Sequence, residues 1–246
     1  MENLKCEVTL DINGTTTHLM FPNKAHLSSI FYHLTRSYSH TAMRAMTRIK
    51  PINYIVDVGA NIGATVLMFH QVFPEAHILA LEPISSTFEY LSYNTRTFPH
   101  ITALNMGAYI ERCEIKFAMP SMKQRPMRGF KIANSGLFSI FGEDDSVSEV
   151  GKVDRLDDIV DGPVDLLKID VEGAEGLVLD GAYRIITEDR PIIIIEMRHD
   201  NMSMAGRNVK YYKDYYMDMG YVAMGKYVGD VILCPKELNV PQVIEI

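Results

Sequence analysis

The run Tyr54-Ile55-Val56-Asp57-Val58-Gly59-Ala60-Asn61-Ile62-Gly63 constrains this chain more than any other segment. A short strand-like stretch feeds into a turn with two glycines, and an apolar helical pattern follows to about Phe73. Glycines at a strand-to-helix turn let the backbone approach a ligand, and unpaired N–H groups at the helix start favour its anionic part. The same rhythm recurs downstream. His77–Leu81 and 101–106 read as strands with Ser85–Thr95 as a helix between them. Residues 164–169 and 191–197 read as strands, 174–186 and 207–219 as helices, and 221–224 with 227–234 as a closing hairpin. The four consecutive isoleucines at 192–195 lack polar alternation, as a strand covered on both faces requires. These units predict a doubly wound, mostly parallel α/β domain over 51–246 with an antiparallel hairpin at its end.

Two regions depart from the rhythm. Residues 1–50 read as an extension: alternating strands at 7–11 and 16–21 flank Asn13-Gly14, a two-residue hairpin signal, and 24–49 reads as helical. Residues 107–163 are an insertion, long enough to carry its own substructure or to act as a substrate lid. Within it, Lys116, Lys123, Arg125, Arg128 and Lys131 occur with no acid among them, followed by Glu143, Asp144 and Asp145.

Composition excludes several classes. A net charge of −7 argues against a surface coated for nucleic acid. The three cysteines, Cys6, Cys113 and Cys234, form no CxxC pair, so neither a zinc ribbon nor a dithiol motif is present. No signal-peptide pattern opens the sequence, and Asp57, Asn61 and His70 interrupt its most apolar stretch. A reduced, cytoplasmic setting without a membrane span is the expectation, and homo-oligomerisation is compatible with it.

The glycine turn does not follow the dinucleotide spacing G-x-G-x-x-G, because Asn61 stands in its middle. Asp57 adds a carboxylate that would repel a pyrophosphate but suits an ammonium group. Glu82, 19 residues after Gly63, falls at a strand end where an acid can accept hydrogen bonds from ribose hydroxyls. Together these describe a nucleoside joined to an amino acid with no phosphate between, the shape of S-adenosylmethionine (SAM). In the segment Leu166-Leu167-Lys168-Ile169-Asp170-Val171-Glu172-Gly173-Ala174-Glu175, Lys168 and Asp170 share one strand face, and Asp170 and Glu172 emerge at its carboxyl end. Glu196, Arg198, His199 and Asp200 follow the neighbouring strand.

The combination VDVGANIGAT, LALEP, ANSG, VDRLDDI, LLKIDVEGAE and RPIIIIEMRH resembles the FkbM family of SAM-dependent methyltransferases over about residues 51–225. The resemblance implies the class I methyltransferase fold, Rossmann-like with seven strands, and methylation of a hydroxyl oxygen on a small molecule, sugar or other natural product. By position it implies that Asp57, Gly59, Ala60, Asn61 and Gly63 cradle the methionine end and that Glu82 holds the ribose. Residues 105–107, with Met106 and Gly107, would lie beside the adenine, although this chain lacks the acid usual there. Asp170 would be shared with the cofactor. Candidate bases for the acceptor proton are Glu172 first, then Glu196 and His199. Lys168 reads either as a buried ion-pair partner or as a group touching substrate. A Mg²⁺ ion held by Asp170 and Glu196 with Glu172, His199 or Asn201 is an alternative. The five cations of 116–131 suggest an anionic acceptor. Competing readings are a nicotinamide-dependent oxidoreductase and a catalytically silent SAM-binding scaffold.

Overall fold

A computed structural model describes residues 6–22, 43–44, 46–119, 139–141, 144–197, 209–227 and 230–240. Four of the five cations of 116–131, the ANSG segment, His199 and most of 24–49 lie outside the described residues.

The chain opens with β1 (Cys6–Ile12) and β2 (Thr15–Phe21), an antiparallel pair. Asn13 and Gly14 connect them with φ of 52° and 81°. Both values lie in the left-handed region that a two-residue hairpin turn demands. Ile12, Leu19 and Phe21 bury one face of this hairpin against Ile62, Leu67 and Phe98.

The main sheet and its helices then follow in order: β3 (Tyr54–Val58), α1 (Ala64–Val72), β4 (His77–Leu81), α2 (Ser85–Thr95) and β5 (Ile101–Leu104). Next come an inserted three-stranded sheet, β6 (Gly107–Tyr109), β7 (Cys113–Met119) and β8 (Asp144–Arg155), and a short helix, α3 (Leu156–Ile159). The chain returns through β9 (Leu166–Ile169), α4 (Glu175–Asp180), β10 (Ile192–Glu196), α5 (Val209–Asp218), β11 (Tyr221–Tyr227) and β12 (Asp230–Pro235).

The seven main strands lie in the order β11-β12-β10-β9-β3-β4-β5. All pairs are parallel except those made by β12, which runs antiparallel to both β10 and β11. This is the doubly wound sheet with a terminal antiparallel hairpin. Its strands are buried on both faces because they alternate between two cores. Val56, Val58, Leu167, Ile169, Ile193, Ile195, Val231 and Leu233 pack on one side. Ile55, Leu166, Ile192, Ile194, Ile232 and Cys234 pack on the other. From β3 the chain winds outward through β4 and β5, then returns to place β9 on the other side of β3. That reversal opens a crevice above the carboxyl ends of β3 and β9, where ligands bind in such sheets.

One element differs from expectation. The helix expected over 174–186 stops at Asp180, and a π-helical turn, Ile185–Asp189, replaces its far end. Gly181 explains the break: a Cβ there would stand 1.9 Å from the Tyr109 carbonyl oxygen, so the chain bends where it meets β6. Among the described residues of 107–163, this added sheet supplies the main structure. Gly151 of β8 seats it against the Pro83 carbonyl, with room for no side chain (2.7 Å).

Candidate functional site: the crevice between β3 and β9

The turn after β3 is shaped by three left-handed residues, Gly59, Asn61 and Gly63, with φ of 84°, 51° and 93°. A Cβ on Gly59 would lie 1.9 Å from the backbone oxygen of Asp170, so this turn and the one after β9 interlock at backbone contact. Gly59 and Ala60 both donate to the Leu81 carbonyl, at 3.0 and 2.9 Å. Glu82, at the end of β4, then accepts from the Asn61 N–H at 3.0 Å and from the Ile84 N–H at 2.9 Å. Burial pushes its carboxyl up to about 7, against the pull of those two backbone donors. Asn105 ties down the next loop by donating to the carbonyls of Glu82 and Pro83 at 2.9 and 3.2 Å. Gly107 lines the crevice, with Met106 just before it, after the bend at Asn105.

Lys168 lies in register with Asp57 on the adjacent strand. Its ammonium stands 3.2 Å from Asp170 Oδ2 and 3.5 Å from Asp57 Oδ1. Burial opposes the charge, but Asp170, Asp57 and Asp230 together hold the ammonium above its ordinary value. Lys168 is therefore a cation ion-paired to both acids. Asp57 is wholly buried, and beyond the long contact from Lys168 its oxygens accept no hydrogen bond among the described residues. A buried carboxylate with spare acceptor capacity calls for a donor.

The second turn carries Glu172 and Gly173 in left-handed conformation, at φ 52° and 108°. Glu175 Oε1 accepts from the N–H groups of Val171 and Gly173, both at 3.1 Å. From the inserted sheet, the Ser139 hydroxyl donates to the Glu172 carbonyl at 2.9 Å. Glu196 ends β10 directly opposite Asp230 of β12. Strand alternation puts Asp57, Lys168, Asp170, Glu196 and Asp230 on one face, that of Ile192, Ile194 and Ile232. Burial pushes Asp230 up to about 6; Lys168 opposes that rise and Asp170 adds to it.

The crevice holds a cavity of about 250 Å³. The glycine turn, Glu82, Lys168, Asp170 and Glu172 line its polar side, while Tyr109, Ile115, Phe117, Ile140 and Val153 of the insertion line an apolar one. Sequence reasoning missed this apolar wall, Asp230, Ser139 and the clamping role of Glu175. A second acid, three residues after Glu172, was a readable signal for Glu175; the others carried none. His199 lies outside the described residues. Among the described residues no three His, Cys, Asp or Glu side chains converge to hold a metal, so the Mg²⁺ alternative finds no support.

A seven-stranded sheet of this order, with its ligand crevice at a glycine turn and a strand-end acid, defines a class I methyltransferase fold. The family description "Methyltransferase FkbM domain" matches residues 57–223, about two-thirds of the chain. The chain belongs to that family. Among solved structures it is similar to the FkbM methyltransferase of Methylobacillus flagellatus KT, at 19% identity and a TM-score of 0.49. That match covers 74% of this chain but 43% of the other, so the chain spans under half of that protein's length. It is also similar to a Staphylococcus aureus protein whose name assigns it provisionally to the caffeoyl-CoA O-methyltransferases. Identity there is 13% and the TM-score 0.52, over 87% of this chain and 99% of that one. No curated protein matches the chain. Among the described residues no helix is long and apolar enough to cross a membrane.

Proposed function

We propose that this chain transfers the methyl group of SAM to a hydroxyl oxygen of a small-molecule or glycoside acceptor. The observation that carries the reading is the Asp57–Lys168–Asp170 group beside the glycine turn, in which Asp57 and Lys168 are buried and Asp170 is partly open to the crevice. Three acids, Asp57, Asp170 and Asp230, surround one lysine, so the crevice floor favours a ligand with positive charge. Beyond the long contact from Lys168, neither Asp57 oxygen accepts a hydrogen bond among the described residues, leaving acceptor capacity for an ammonium group. Glu82 borders the same cavity and offers its remaining lone pairs to ribose hydroxyls. The apolar wall of Phe117, Ile115 and Val153 suits an adenine ring or the body of an acceptor.

When bound, SAM supplies an electrophilic methyl on a sulfonium. The residues must then align an alcohol oxygen behind that methyl and keep water away. Glu172 reaches the cavity from a strained turn and is the first base for the acceptor proton, with Glu196 and His199 after it. Lys168 fixes the orientation of Asp57 and Asp170 and remains protonated. The turn after β9 reads Asp170-Val171-Glu172-Gly173, which favours an oxygen acceptor over the N/D-P-P-Y/F chemistry of amino methylation. The cations of 116–131, of which Lys116 lies on β7, favour an anionic acceptor.

Isothermal titration with SAM and with NADH tests the cofactor: heat with SAM and none with NADH is expected, and the reverse result overturns the reading. With methyl-tritiated SAM, label should pass to an alcohol or glycoside from a hydroxyl panel, undiminished by EDTA. Glu172→Gln should keep SAM affinity and lose turnover. Neutralising Arg125 and Arg128 should raise the KM of an anionic acceptor.

A further inference from the structure

The turn at 170–173 is gripped from two directions by residues outside the cavity's polar lining. From below, fully buried Glu175 accepts the Val171 and Gly173 N–H groups on one oxygen. From the insertion, the hydroxyl of buried Ser139 donates to the Glu172 carbonyl. Ser139 is itself held by a reciprocal backbone pair with Ala118 of β7, at 3.0 Å in each direction, and its Oγ accepts the Phe141 N–H at 3.2 Å. The gripped segment needs such support. Glu172 is an ordinary L-residue held at φ 52°, a strained conformation that persists only where its surroundings enforce it. The segment also forms one wall of the cradle, because Gly59 meets the Asp170 carbonyl at a distance that admits no Cβ.

We propose that Ser139 and Glu175 are positioning residues that hold the Asp170–Gly173 turn against the glycine turn, and that Ser139 thereby couples the inserted sheet to cofactor binding. The inference rests on the reading of the crevice as a SAM site. Neither residue touches the ligand; each acts through the turn that carries Asp170 and Glu172. The inserted sheet, which supplies the apolar wall of the cavity, is thus mechanically tied to the opposite, polar wall by one hydroxyl.

Calorimetric titration with SAM tests this without any acceptor. Loss of the Ser139 hydroxyl in Ser139→Ala should raise the SAM Kd about fivefold, the scale of one intramolecular hydrogen bond. Ser139→Thr, which retains the hydroxyl, should restore it. Glu175→Ala should raise Kd about tenfold or more, while Glu175→Gln, which keeps an acceptor oxygen for both N–H groups, should stay within about twofold. In an Asp170→Asn background the Ser139→Ala effect should shrink toward nothing, because both act through one turn. Should Glu175→Ala fail to fold, the Ser139 series decides alone. Wild-type affinity in Ser139→Ala, or an undiminished effect in the Asp170→Asn background, overturns the inference while the SAM reading stands. A wild-type protein that binds no SAM overturns both.

Discussion

The turns after β3 and β9 solve the same problem with the same device, and differ in what the device faces. Each contains residues forced into left-handed backbone, Asn61 in one and Glu172 in the other. Each is held by a single buried carboxylate that accepts two backbone N–H groups: Glu82 takes Asn61 and Ile84, Glu175 takes Val171 and Gly173. Glu82, however, borders the ligand cavity, whereas Glu175 lies beneath it. The first carboxylate can report on a ligand as well as hold a loop. The second can only hold. Position relative to the crevice, rather than residue type or burial, separates the two carboxylates.

The severest way to break the comparison is at the point where the two turns touch. Gly59→Ala demands both a left-handed alanine and a Cβ 1.9 Å from the Asp170 oxygen. Backbone must shift, so unfolding free energy should fall by about 3–5 kcal/mol and SAM binding should vanish. Gly63→Ala also asks for a left-handed alanine, at φ 93°, but meets only side-chain ends, Leu91 at 3.1 Å and Thr95 at 3.6 Å, and should cost about 1–2 kcal/mol. Thermal unfolding of the pair checks this; equal losses would mean that the turns do not interlock.

Next in size is the charge beneath both turns. Lys168→Met strips the ionic partner from wholly buried Asp57 and should cost about 3–5 kcal/mol near neutral pH. Burial already raises the Asp57 pKa, and removing Lys168 removes the charge that holds it down. The native state then holds that proton more tightly than the unfolded chain, so the loss should grow as pH rises. Adding Asp57→Asn should recover part of the stability. Denaturant unfolding at pH 5 and pH 8 measures both effects.

What could be read in advance follows the same division. The sheet was legible because strand alternation and helical periodicity repeat along the chain, and Ile192–Ile195 need cover on both faces. The glycine turn beside Glu82 was legible because glycines and a strand-end acid have few other uses together. The clamp was legible only in part: Glu175 showed as a second acid three residues after Glu172, while Ser139 acts on a backbone carbonyl and leaves no mark on the pattern of side chains. Asp230 escaped because only the antiparallel pairing of β12 with β10 sets it opposite Glu196. The helix break at Gly181 likewise depends on Tyr109, which is distant in sequence and close in space.

A smaller effect sharpens the contrast between the two carboxylates. The folded Glu82 carboxyl sits at about 7, above its ordinary 4.5, so the native state favours its protonated form. Its contribution to stability is fully present below about 4.5 and is lost as pH rises through about 7. Ribose hydroxyls bond more strongly to the ionised form, so SAM affinity should move the other way, rising up to about tenfold across the same window. Glu82→Gln should flatten its share of both trends, which separates it from Asp230 at about 6. If stability and SAM affinity rise together with pH, Glu82 does not hold the ribose.

The finest distinction lies in the strain that each turn carries. Asparagine enters left-handed backbone readily because its short amide can bond locally, and glutamate does so at a real cost. Replacing either with glycine removes that cost but loosens the unfolded chain, a penalty of about 0.4–1 kcal/mol. At Asn61, φ 51°, there is little strain to relieve, so Asn61→Gly should lower Tm slightly. At Glu172, φ 52°, relief should exceed the entropic loss, and Glu172→Gly should raise Tm by about 1–3 °C. The clamp survives that substitution, since Glu175 and Ser139 bind only backbone atoms of the turn. A stabilised Glu172→Gly protein that still binds SAM would therefore locate the strain at the proposed base, while a lowered Tm would show that Glu172 rests there without it.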